Sequence, residues 1–202
     1  MESETQYPSV KCLVEGGGGV GKTCMLIRYT TNTFPTDYVP TIIDKYEANM
    51  ILDGRTISLS LVDCCGNEDY ERLRVLAYPN TDVFILCYSV TNHPHYDTLE
   101  HIENVRLPAI RGVCPNSPFF LVGTKSDLRK DTSALEKSKA KGYSLIDPAR
   151  AEEKGKELGA ARVMECSAKT DVGVKDVFEE AIRVALSSRV NGDNNKGSCM
   201  LL

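Results

Sequence analysis

The run Gly16-Gly-Gly-Gly-Val-Gly21-Lys22-Thr23 holds the densest group of chemistry-bearing residues in the chain. It fits the pattern G-x-x-x-x-G-K-[ST] and lies between an apolar run, Ser9 to Glu15, and a helix-like stretch, Lys22 to Thr30. Glycines let the backbone curl, so that successive N–H groups of Gly16, Gly17, Gly18, Gly19, Val20 and Gly21 point at phosphate oxygens. The helix N-terminus adds positive potential. Lys22 then supplies a point charge to the β- and γ-phosphates and the Thr23 hydroxyl a ligand for Mg²⁺, with Cys24 next in the same wall. The competing reading, a flexible glycine linker, leaves Lys22 and Thr23 as ordinary helix-start residues.

Two further clusters extend this chemistry. In Asp63-Cys-Cys-Gly66 a carboxylate ends a strand-like run three residues before a glycine. Such a pair can hold Mg²⁺ through water and free the Gly66 N–H for the γ-phosphate. Thr124-Lys125-Ser126-Asp127 follows the apolar run Phe119 to Gly123. The Asp127 carboxylate can accept both N1–H and the N2 amine of guanine, whereas adenine offers neither and would leave the charge unpaired. Glu165-Cys-Ser-Ala-Lys169 follows the last strand-like run, where the Ala168 N–H is placed to bind guanine O6.

These clusters need a scaffold, and the hydrophobic pattern supplies an α/β one: a P-loop fold with a six-stranded, mostly parallel sheet and helices on both faces. Tyr46 to Leu52 and Thr56 to Asp63, joined by Asp53-Gly54, predict an antiparallel hairpin. Val83 to Ser89 and Phe119 to Gly123 are continuous apolar runs suited to central strands, and Arg162 to Cys166 makes a sixth. Tyr96 to Leu107 predicts a helix stopped by Pro108. Pro148 to Leu158 predicts another, capped by Asp147 and ended by Gly159. Ser133-Ala-Leu-Glu136 has the spacing of a capping box. Val174, Val177, Phe178, Ala181, Ile182 and Ala185 share one face of a final helix.

Composition narrows the classes. The 202 residues suit one domain over 9–190, with an extension at 1–8 and a flexible tail at 191–202. With 24 Lys+Arg against 28 Asp+Glu the net charge is −4, which argues against a nucleic-acid partner. Residues 1–8 lack the features of a secretory signal, so the eight Cys are expected to be reduced and the protein to lie on the cytosolic side. His93, His95 and His101 show no ligand geometry and are expected at the surface.

Taken together, these motifs resemble the Rho/Rac family of small GTPases over roughly residues 9–190. Phe34-Pro-Thr-Asp-Tyr-Val-Pro-Thr41 resembles the family's switch I, and Glu68 to Arg74 with Tyr78 to Asp82 its switch II and following turn. The resemblance implies GTP and GDP as ligands with Mg²⁺. It places Thr41 on the metal and the γ-phosphate, Phe34 near the base and Tyr38 over the phosphates. Ser167, Ala168 and Lys169 fall around the guanine, and Tyr38, Val39, Pro40, Thr41, Ile42, Ile43, Asp44, Lys45 and Tyr46 form the effector surface. The segment about 131–142 falls where the family carries an insert helix. Effectors, exchange factors, GTPase-activating proteins and a prenyl-binding dissociation inhibitor are the implied partners of a monomer.

The chain departs from the family pattern at Asn67, where a water-orienting Gln is usual. Asn is shorter by about 1 Å, a misplacement that can lower rates on the order of 10²-fold. Slow hydrolysis is the expectation, with Lys22 and Gly66 as the other catalytic candidates. Two readings stay open: a slowly cycling switch, or a GTP-loaded binding module with negligible turnover. Cys24 beside Lys22 is read either as a thiol of lowered pKa or as one buried under the nucleotide. Cys64 and Cys65 stand where Thr and Ala are typical and are expected as small packed residues. Cys199-Met-Leu-Leu202 fits a prenylation signal, with Leu202 favouring geranylgeranyl on Cys199 and membrane residence on the cytoplasmic face, the plasma membrane foremost.

Overall fold

The computed structural model describes residues 7–37, 41–93 and 98–196, with side chains to 189. In chain order it forms β1 (Ser9–Gly16), α1 (Lys22–Thr31), β2 (Ile43–Leu52), β3 (Arg55–Cys64), a 3₁₀ turn (Glu68–Tyr70), α2 (Glu71–Ala77) and β4 (Val83–Ser89). There follow β5 (Thr91–Asn92), α3 (Thr98–His101), a π-turn (Ile102–Arg106), α4 (Leu107–Val113), β6 (Phe119–Thr124) and a second 3₁₀ turn (Ser126–Arg129). The chain continues through α5 (Thr132–Ala140), β7 (Ser144–Leu145), α6 (Pro148–Leu158), β8 (Arg162–Glu165) and α7 (Val174–Lys196).

Six strands form the central sheet in the order β2-β3-β1-β4-β6-β8. Every pairing is parallel except β2 with β3, as the sequence predicts. Asp53 (φ 49°) and Gly54 (φ 76°) both adopt left-handed backbone and close that hairpin. The central strands β4 and β6 are buried throughout, which is why they read as unbroken apolar runs. Their alternation feeds two cores. Val83, Ile85 and Cys87 face Val10, Val14, Phe178 and Ile182, while Phe84, Leu86 and Tyr88 face Leu99, Ile102 and Ile110 on the opposite side. Tyr29 stacks on Phe178 at 4.2 Å, binding α1 to α7. Among the described residues no helix is long and apolar enough to cross a membrane.

The helix α6 has the caps predicted for it: Asp147 Oδ1 accepts from the Ala149 N–H at 2.9 Å, and Gly159 ends it at φ 76°. Pro108, in contrast, does not stop its helix. The described part of the helix, Thr98–His101, widens into a π-turn in which Leu107 N–H bonds the Ile102 carbonyl, and α4 then runs to Val113. A widened turn absorbs the proline that a regular α-turn would reject. The predicted start at Tyr96 lies outside the described residues.

Other boundaries also differ. The cap of α5 is Asp131, whose Oδ1 accepts from Ala134 N–H at 2.9 Å, and Ser133 lies inside the helix rather than at a capping box. A carboxylate two residues earlier outcompetes the hydroxyl for the first free amides. β2 begins at Ile43, three residues before the predicted Tyr46, because its ladder continues to Ile43 opposite Cys64. As an edge strand it is mostly exposed, so no apolar alternation marks that stretch. α7 runs to Lys196, into the segment expected as a flexible tail. The small β5–β7 ladder has no counterpart in the sequence pattern, since two residues per strand are too few to show alternation.

Candidate functional site

The sheet's connection order reverses at β1, which lies between β3 and β4, and the crevice there is where open α/β sheets bind ligands. The glycine-rich loop leaves β1 at that point. Gly16 has φ 144°, and a Cβ on it would lie 2.3 Å from the Cys87 carbonyl oxygen, so no side chain fits. Lys22, at the start of α1, is buried and arches back over the loop, with Nζ donating to the carbonyls of Gly16 (2.9 Å) and Gly17 (2.8 Å). Burial pulls its pKa down, while Glu15 and Asp63 oppose the shift.

Three oxygens predicted on one metal converge. Thr23 Oγ1 donates to Asp63 Oδ2 at 2.6 Å and lies 3.0 Å from Thr41 Oγ1. They arrive from α1, from β3 and from the segment before β2, so only the fold brings them together. Asp63 is fully buried, and its Oδ1 has no hydrogen-bond partner among the described residues. Burial pushes its carboxyl up, opposed first by the Thr23 hydrogen bond and then by Lys22. Hard oxygen donors around an uncompensated buried carboxylate oxygen fit Mg²⁺.

Beside them opens a cavity of about 220 Å³, lined by Gly21, Cys24, Phe34, Lys125, Asp127 and Ala168 among others. The segment after β6 fastens it to the phosphate loop: Thr124 Oγ1 donates to the carbonyls of Val20 and Tyr88, and Lys125 Nζ to that of Gly19 at 2.6 Å. Ser167 Oγ donates to Asp127 Oδ1 at 2.6 Å and Lys169 Nζ stands 4.0 Å from Oδ2, and these contacts hold the carboxylate in the cavity wall. Phe34 stands at the rim, 41 % exposed. Burial raises the pKa of Cys24, with Lys125 opposing. That overturns the reading of Cys24 as a thiol of lowered pKa, because desolvation of the thiolate outweighs the nearby cation.

Arg28 belongs to this site although no sequence motif marks it. Its Nε donates to the Ala168 carbonyl (2.8 Å), Nη2 to that of Lys169 (3.4 Å) and Nη1 to that of Asn32 (2.9 Å). It therefore ties the base-facing loop to α1.

The segment after β3 closes on the phosphate loop. A Cβ on Gly66 would lie 2.4 Å from both Gly17 C and Gly18 N, so the two backbones are in direct contact. The Asn67 side chain turns along its own segment, where Oδ1 accepts from Asp69 N–H and Nδ2 donates to Asp69 Oδ2, each at 3.1 Å, capping the first 3₁₀ turn. Behind this segment lie three buried charges: Glu15 and Arg106, which no motif marks, and Arg74, which ends the stretch resembling switch II. The signal available in the sequence is a lone carboxylate ending an apolar strand. His101 is buried at 8 % exposure, not a surface residue, with Nδ1 3.8 Å from Glu68 Oε1; it lies at the end of α3, against the core. Cys64 is buried and Cys65 half-buried, as expected of small packed residues.

Of the expected effector surface, Thr41 and Ile43 are half-buried, Ile42 is 52 % exposed, Asp44 and Lys45 are exposed and Tyr46 is half-buried along β2. Tyr38, Val39 and Pro40 lie outside the described residues, as do His95 and Cys199. A glycine loop with its lysine, three convergent oxygens and a carboxylate facing a base-sized cavity, all at one end of a parallel sheet, define a P-loop nucleotide-binding protein. A model of the Ras family matches residues 11–187, and the chain belongs to that family. It is a small GTPase, a nucleotide-dependent switch of a family that binds GTP and GDP with Mg²⁺ and hydrolyses GTP.

Proposed function

We propose that this small GTPase is a Rho/Rac-type switch with slow hydrolysis, engaging effectors through Thr41 to Tyr46 and the segment from Glu68 to Arg74 when GTP is bound. Helix α5, inserted between β6 and α6, supports the Rho-type reading, as does the stretch from Phe34 to Thr41. Lys22 and the loop amides hold the phosphates, and Thr23, Thr41 and Asp63 hold the metal. Bound there, Mg²⁺ supplies charge neutralisation at the phosphate oxygens. The Gly66 N–H answers the γ-phosphate, so the effector surface is ordered only while that phosphate is present. Geranylgeranylation of Cys199 places the protein on the cytoplasmic face of membranes. Exchange factors, GTPase-activating proteins and a prenyl-binding dissociation inhibitor complete the cycle.

The observation that carries slow turnover is the Asn67 side chain, which is engaged with Asp69 at both of its polar atoms. It favours a second reading, a binding module that stays loaded with GTP. Single-turnover hydrolysis by the parent and by Asn67→Gln, each with and without a Rho-type activating domain, tests both. A parent at least about 10-fold slower than the variant supports the slow switch. Failure of the activating domain to rescue the parent supports the GTP-loaded module. Equal rates contradict both.

A further inference from the structure

Glu15 is the penultimate residue of β1, next to the glycine loop, and it is fully buried. Two arginines from distant elements share its Oε1: Arg74 of α2, with Nε at 3.2 Å, and Arg106 of the π-turn, with Nη1 at 3.1 Å. Both are 1 % exposed. One further nitrogen of each arginine donates to consecutive carbonyls of the segment after β3. Arg106 Nη2 donates to Gly66 at 2.8 Å, and Arg74 Nη1 donates to Asn67 and, at 3.4 Å, to Cys65. Among the described residues neither carboxylate oxygen takes an aligned hydrogen bond, so the triad is held by charge more than by direction.

A buried triad of this kind is weak evidence for stability, because well-packed apolar residues often serve as well or better. Its placement points to another role. The peptide it grips is the one whose backbone touches Gly17 and Gly18. Arg106 reaches that peptide from a π-turn, a widening that often marks functional positions.

We propose that Glu15, Arg74 and Arg106 are positioning residues that clamp the Cys65–Asn67 backbone closed on the phosphate loop, biasing the switch toward its γ-phosphate-bound form. The proposal rests on the small-GTPase reading and deepens it. A clamp that favours the closed form raises the affinity for GTP relative to GDP by its differential stabilisation of that form and by no more.

The test uses the full chain with two changes. Arg106→Lys keeps a cation beside Glu15 but lacks the fork that bonds Glu15 and Gly66 together. The triple replacement Glu15→Val, Arg74→Met, Arg106→Leu removes every charge and keeps the site apolar. Each folded variant, verified by its thermal midpoint, is titrated with GDP and with a non-hydrolysable GTP analogue. Amide exchange over 65–70 is followed in the GDP-bound state. The clamp predicts that in both variants the analogue-to-GDP affinity ratio falls about 10-fold and exchange at 65–70 speeds up, while GDP affinity holds in Arg106→Lys, which leaves the Glu15 charge near Lys22 in place. A merely structural triad moves the thermal midpoint and leaves the ratio and the exchange unchanged, and that result overturns the proposal. Failure of the parent to bind GDP would instead overturn the small-GTPase reading beneath it.

Discussion

Replacing Gly66 by Ala puts a methyl carbon 2.4 Å from Gly17 C and Gly18 N and 2.5 Å from the Gly17 carbonyl oxygen. All three neighbours are backbone, so no side chain can swing aside. To restore ordinary van der Waals contact at 3.4 Å, the Gly66 segment must retreat from the phosphate loop by about 1 Å. A displacement of that size at a reacting centre lowers rates on the order of 10²-fold. The retreat also pulls against Arg106, which holds the Gly66 carbonyl, so the strain is shared with the buried triad rather than relaxed by it. Gly66→Ala should therefore keep its affinity for GDP, lose most of its preference for a GTP analogue, and hydrolyse GTP on the order of 10²-fold more slowly than the parent. Fluorescent-nucleotide titration and single-turnover hydrolysis read the two effects separately. An Ala variant with the parent's nucleotide preference and rate would refute the assignment of Gly66 to the γ-phosphate.

Two further substitutions probe other parts of the molecule. Arg28→Ala removes a charged donor from the Ala168 carbonyl, and guanine-nucleotide affinity should fall by about 10-fold; an unchanged dissociation constant contradicts the role given to Arg28. Burial, and then the charge of Arg106, hold the His101 pKa below its ordinary 6.5, with Glu68 opposing. The folded state thus resists a proton that the unfolded state accepts, so stability should fall as pH drops below about 6.5 and level off beneath the folded pKa. Denaturant melts across pH 5 to 7.5 should show a shallower slope for His101→Asn, and parallel slopes would rule His101 out as the source.

Much of the site is legible in the sequence because its chemistry is local. The glycine loop, Asp63 to Gly66 and Thr124 to Asp127 are short contiguous motifs, each beginning at a strand's end, and the fold brings all of them to one end of the parallel strands. The Asp147 and Gly159 caps are equally local. What escapes the sequence depends on distance. Arg28 meets carbonyls about 140 residues away, and Glu15 meets arginines contributed by α2 and by the π-turn. No local pattern reports such partners. Pro108 misleads for a related reason: its ring forbids a regular turn, but a π-turn is an alternative that propensity alone does not suggest. His101 misleads because a polar residue on a short helix can still face the core.

The central claim is that the Asp127 cavity and the Thr23, Thr41 and Asp63 oxygens together form a guanine-nucleotide site that depends on a divalent cation. Equilibrium competition among GDP, GTP and ATP on the purified chain, with Mg²⁺ and then with a chelator, tests it most directly. Guanine nucleotides should outcompete ATP on the order of 10⁴-fold, since adenine leaves the Asp127 carboxylate unpaired, and chelation should weaken their binding. ATP binding as tightly as GTP, or guanine-nucleotide affinity indifferent to Mg²⁺, would contradict the account.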